Sequence, residues 1–202
     1  MNLKLLQLNG LKSLWGNEVD RLIDSITSFT VTQTNKLERK YKELQRSTEL
    51  SDDHAFHIEE SIIDEAYELN EIEELAYELA IIALYKKIEI TTKKNLKITY
   101  PEIDRKKLYK FKKLKKILKD KEIDIESFSN YLAMDELRCL NNSIKHSGEV
   151  DSELAKYAGW NENERVDNLQ EAYKRLAPKC NDYIKELLDQ FIAQQKELVK
   201  IG

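Results

Sequence analysis

Apolar residues recur at three- and four-residue spacing along almost the whole chain, which is the period of amphipathic helices. Val19, Leu22, Ile23, Ile26 and Phe29 begin one stripe, continued by Leu37, Tyr41 and Leu44, with Asn17 placed to cap it. Its middle, Thr27 to Thr34, is rich in β-branched and hydroxyl side chains and predicts a break or a weak turn. Ser51 is a good N-cap, followed by Asp52 and Asp53 in a first helical turn. The stripe after it (Ala55, Ile58, Ile62, Ala66, Leu69, Ala76, Ala80, Ala83) predicts the longest helix, ending near Ile90 or Lys94. From Leu75 to Leu84 this helix is apolar on nearly all sides, the pattern of a central bundle helix. Ile90 to Pro101 then predicts a connection, and Asp104 a cap for a helix with Leu108, Phe111, Leu114 and Leu118 on one side.

A further stripe, Tyr131, Leu132, Met134, Leu137, Leu140 and Ile144, predicts a helix that stops at Gly148. A small segment follows, Ser152 to Trp160, then a polar loop around Asn161 to Glu164. Two helices close the chain, Val166 to Leu176 and Lys179 to Val199, with Pro178 starting the second. The reading is an all-α protein, an up-down bundle of four to five helices over residues 51–202 with an N-terminal helical arm over residues 1–50. The arm is expected outside the bundle or against a partner.

Composition agrees with long helices: 202 residues carry only 5 Gly and 2 Pro, with 35% charged and 41% hydrophobic residues. The net charge of −4 excludes a polycation built for nucleic acid over its whole surface. The charge is uneven, however. Residues 51 to 85 hold eleven acidic and no basic side chains, whereas 104 to 122 hold ten basic against three acidic ones. The basic run is either a solvated face balanced by the acidic one or a strip that receives phosphates. Within it, Lys106, Lys107, Lys110 and Lys113 are candidate RNA contacts, with Tyr100, Tyr109 and Phe111 as possible stacking groups. Cys139 and Cys180 cannot form a disulfide framework and are expected to be reduced, buried and inert. With no signal-like or membrane-spanning stretch, the chain is expected to be soluble and cytoplasmic, with no membrane contact.

One stretch concentrates chemically competent groups. Glu136-Leu137-Arg138-Cys139-Leu140-Asn141-Asn142-Ser143-Ile144-Lys145-His146-Ser147-Gly148 sets Arg138, Asn142 and His146 four residues apart on one helical face. Histidine can accept and donate a proton near neutral pH. Arginine offers a fixed planar cation to phosphate, and an asparagine can orient an oxygen. Together these suit RNA cleavage by the RNA's own 2′-hydroxyl, with Lys145 adding positive potential and Asn141 a further RNA contact. Asp53, His54 and His57 cluster at a helix start, but no second ligand element accompanies them, so they read as an ordinary polar first turn and no metal site is assigned.

The same run resembles the signature of the HEPN superfamily, small all-helical proteins of prokaryotic toxin and antiviral systems. The usual pattern is an Arg, four to six residues, and a His. Many variants place an Asn and a Lys-His as Asn142, Lys145 and His146 stand here. A looser likeness continues through Val150, Leu154 and Trp160. The seven residues between Arg138 and His146 exceed the usual spacing by one. The resemblance implies a metal-independent, cofactor-free endoribonuclease in which Arg138, Asn142 and His146 are catalytic. It also implies a homodimer that brings two motifs into one cleft, and a cognate antitoxin or defence-system partner. Inactive relatives exist, so a non-catalytic helical module that binds a protein or nucleic acid is the alternative.

Overall fold

A computed structural model describes residues 2–47 and 51–201, the side chains of residues 105, 107 and 201 excepted. The chain is all-α. Among the described residues six helices follow one another: α1 (Leu3–Ser13), α2 (Glu18–Arg46), α3 (Asp52–Thr99), α4 (Phe111–Asp120), α5 (Tyr131–His146) and α6 (Leu169–Ile201). Three short 3-10 turns join them, and the described residues hold no strand beyond an isolated bridge between Glu149 and Arg165. No described helix is long and apolar enough to cross a membrane.

Three breaks expected from the sequence do not occur, and two of them have a local reason in side-chain hydrogen bonds. In α2, Thr30 Oγ1 donates to the Thr27 carbonyl (3.0 Å) and Thr32 Oγ1 to that of Ser28 (2.7 Å). In α3 the residues expected to form a connection are helical through Thr99. Thr92, Asn95 and Thr99 bond carbonyls four residues back, at 2.8, 2.8 and 3.0 Å. Their donors are thereby used inside the helix rather than against it, and all three side chains are buried, with Asn95 Oδ1 left without a partner among the described residues. No Gly or Pro interrupts residues 51–100, and Pro101 then disfavours helical backbone at the residue before it. Pro178 lies inside α6 rather than at the start of a new helix. Asp104 caps a 3-10 turn through Lys106 N (3.0 Å), so the basic helix begins at Phe111 instead.

The chain divides into two compact units, Met1–Gly16 with Ile81–Gly202, and Asn17–Ala80. This division differs from a split at residue 50, because α3 contributes to both units. The 17–80 unit is an antiparallel helix pair around Leu37, Ile62 and Leu69, edged by Tyr41 and Leu44. Lys40 pairs with Glu65 (3.5 Å), and Tyr41 donates to Glu59 (3.3 Å).

The larger unit holds the motif. In it α6 runs antiparallel to α5, with Glu136 opposite Arg175, the Ala133 carbonyl opposite Cys180, and Phe128 against Tyr183. The first helix is no detached arm. It packs on α6 through the Lys12–Asp189 ion pair and the Trp15 Nε1 bond to Asn181 (3.1 Å). Lys87 donates to the Gly16 carbonyl (2.6 Å) and lies over the Trp15 ring. Leu96, Leu118, Met134, Leu137, Leu140, Leu154, Leu176 and Phe191 fill the centre of the unit.

Candidate functional site

The sixteen residues of α5 are unusually interior for a helix that carries polar chemistry. Ala133, Met134, Leu137, Cys139 and Leu140 are buried, and so are Glu136, Asn141 and Ser143. The face of Arg138, Asn142 and His146 lies beside this buried set and opens progressively toward the C-terminus: Arg138 and Asn142 are half-buried and His146 is exposed. The helix ends as expected. Ser147 N and Gly148 N both donate to the Ser143 carbonyl, at 3.2 and 2.9 Å, and Gly148 takes a φ of +70°, where a side chain would be strained. Val166 N donates to the Gly148 carbonyl (2.8 Å), and Val150 exchanges bonds with Glu164 and Asn163, tying the loop behind the helix end.

Arg138 is committed to its own helix. Its Nε donates to Asp135 Oδ1 (2.7 Å), its Nη2 approaches Cys139 Sγ (3.1 Å), and its guanidinium sits 5.0 Å from the Phe111 ring centroid. Asp135 also accepts from the Tyr157 hydroxyl at 2.8 Å. Burial works against the Arg138 charge, but the hydrogen bond and charge of Asp135 outweigh it, so its pKa is raised. Tyr157 is pushed up as well, by burial first and then by its bond to Asp135. Asp135 lies one turn N-terminal to Arg138, whereas His146 lies eight residues the other way, about 12 Å along the axis at 1.5 Å per residue. Within one chain the three residues share a stripe but do not converge on one phosphate.

Asn141 is 4% exposed, and its Nδ2 donates to Asn142 Oδ1 (3.1 Å). It orients Asn142 from inside the protein and offers no surface to RNA. Lys145 and His146 are both exposed at the helix end. On the basic strip, Lys106, Lys110 and Lys113 are exposed, while the side chain of Lys107 lies outside the described residues. Lys115, Lys119 and Lys121 are paired with Glu126, Asp124 and Glu102. The three aromatic residues do not form one platform. Phe111 lies under Arg138, Tyr100 lies under Lys121 and bonds Gln194, and only Tyr109 is widely exposed. Asp53, His54 and His57 are all exposed, and the described residues contain no metal-competent cluster.

Sequence reasoning missed the strongest polar element. Glu136, 5% exposed, accepts both guanidinium nitrogens of Arg175, at 2.8 and 2.5 Å, and Trp160 Nε1 at 2.8 Å. A signal was present, since Glu136 stands on the three-and-four spacing of Ala133 and Leu140, where an acid must be paired. Nothing local points to Arg175, 39 residues away. Comparison of the chain with known protein families, with characterised proteins and with solved structures finds no match.

Proposed function

We propose that this chain is a HEPN-like, metal-independent endoribonuclease that works as a homodimer in a prokaryotic toxin or antiviral defence system. The observation that carries the reading is the end of α5. Lys145 and His146 stand exposed on a helix that is otherwise interior, and the Gly148 turn and its loop bonds hold that end in place. Neutral His146 takes the proton of an RNA 2′-hydroxyl, whose oxygen attacks the adjacent phosphorus. The 5′-oxygen leaves with a proton from the partner subunit's His146, giving a 2′,3′-cyclic phosphate and a 5′-hydroxyl. One proton-transfer group per chain makes the second copy necessary, and a two-fold interface presents each patch to itself. Lys145 supplies positive charge at the phosphate, Asn142 orients it, and the exposed Lys106, Lys110 and Lys113 receive flanking phosphates. Arg138, held by Asp135, is a positioning residue in this reading.

That same engagement of Arg138 favours a second reading, a non-catalytic HEPN-like module that binds a cognate protein. Cleavage of a mixed RNA pool in the presence of chelator separates the two. Wild type should cleave, and His146→Ala should lose on the order of 10² to 10⁴ in rate while keeping its fold. Equal activity in the two proteins, or activity abolished by chelator, overturns the mechanism. An inactive wild type that retains a co-purifying protein selects the second reading.

A further inference from the structure

Away from α5, a groove of about 780 Å³ opens between α1, the C-terminal part of α3 and the turn before α4. That volume is in the range of small-molecule sites, roughly 300 to 1,000 Å³. Its walls are aliphatic: Leu11 from α1 and Leu14 just after it, Ile90 and Ile98 from α3, and Leu108. Leu14 and Tyr109 are left 75% and 76% exposed at its edges. Three lysines of α3, Lys93, Lys94 and Lys97, line the same groove. Two of them are occupied. Lys97 donates to the carbonyls of Pro101 and Ile103, and Lys93 pairs with Glu89 (2.6 Å) above Tyr109. Lys94 is exposed and has no hydrogen bond or ion pair among the described residues.

Gly10 provides a separate observation. It lies inside α1 and lines the groove, although glycine is the poorest helix former after proline. Its φ is not positive, and a Cβ added there would meet no atom within 4 Å. Neither backbone nor packing requires a glycine at this position, and its missing side chain leaves the groove open.

We propose that this groove binds the carboxylate form of a single-chain fatty acid, with the acyl chain along Leu11, Gly10 and Ile98 and the head group at Lys94. An aliphatic floor with unpaired positive charge at the rim matches an anionic amphiphile. A nucleotide fits less well, because among the described lining residues the only uncharged polar side chains are Gln7 and Tyr109 and no carboxylate reads a base edge. The site is independent of His146 and of the proposed ribonuclease.

Titration of the full chain with dodecanoate below its micelle concentration tests this, with dodecan-1-ol as the uncharged analogue. Saturable one-to-one binding is expected, strengthening from octanoate to dodecanoate by up to roughly fourfold per added methylene. Gly10→Leu should weaken dodecanoate binding about tenfold or more without lowering the melting temperature, since it fills the groove and improves the helix. Lys94→Glu should cost roughly tenfold for dodecanoate and leave dodecan-1-ol within about twofold. Should Gly10→Leu fail to fold, Leu14→Asp at an exposed position carries the same test. The proposal is overturned by absence of saturable binding, or by unchanged affinity in these variants. Preferential binding of an acidic peptide spanning residues 56–70 would make the groove a protein-docking site and equally overturn it.

Discussion

The two ends of α5 carry similar residue types and do opposite work. Toward its N-terminus, Asp135, Glu136 and Arg138 are each tied to a partner, through Tyr157, Trp160, Arg175 and Phe111. At its C-terminus, Lys145 and His146 have no such ties and face solvent. Burial makes the difference. A charge removed from water must be paired, so the interior end is fixed by its own electrostatics, whereas the exposed end has no desolvation to offset and stays available for chemistry. Helical periodicity shows that these residues share an element, but it does not show which of them are free.

Breaking the buried end should have the largest effect on stability. Leu140→Ala, at a fully buried position one turn along α5 from Glu136, should cost about 2–5 kcal/mol by leaving a cavity. Glu136→Ala leaves the Trp160 indole without its acceptor at a site 5% exposed and unpairs Arg175, whose side chain is 44% exposed and reaches water, and should cost about 1–3 kcal/mol in denaturant unfolding. A loss below about 1 kcal/mol would show that the Trp160 indole N–H finds water as well. Arg138→Ala should cost about 1–3 kcal/mol, because Asp135 loses a hydrogen-bonded cation in a pair whose side chains are only 17% and 18% exposed. An Arg138 that served only catalysis would leave unfolding untouched.

A pH dependence sharpens the same contrast. Burial pushes the thiols of Cys139 and Cys180 up to about 11 and about 12, from an ordinary 9.0. The unfolded chain therefore loses these protons first. Their contribution to stability is complete below pH 9 and declines as pH rises toward those raised values. Unfolding of Cys180→Ala beside wild type should show a shallower alkaline fall, and identical slopes would contradict the assignment. The smallest effect belongs to the exposed end, where His146→Ala should change stability by no more than about 0.5 kcal/mol. A larger loss in thermal melting would mean that the imidazole holds the helix end.

Much of the fold was legible because local rules decide it. The stripes over residues 19–44, 55–83 and 131–144 form helices, and Gly148 stops α5 with a positive φ at the expected place. The same local rules erred at Thr27–Thr34 and Ile90–Pro101, where side-chain bonds to carbonyls three or four residues back kept the helices continuous, and at Pro178, which lies within α6. On the candidate site, the sequence by itself determined the shared stripe of Arg138, Asn142 and His146 and the exposed turn that ends it, since both follow from a period of 3.6 residues and one glycine. The three-residue spacing of Asp135 and Arg138 allows their pairing within the helix, but only the tertiary structure decided that Phe111 and Tyr157 close over that pair, that Asn141 is interior, and that Glu136 meets Arg175 and Trp160. Those facts depend on which helices pack together and how much water they exclude, and no periodicity along a single helix encodes either.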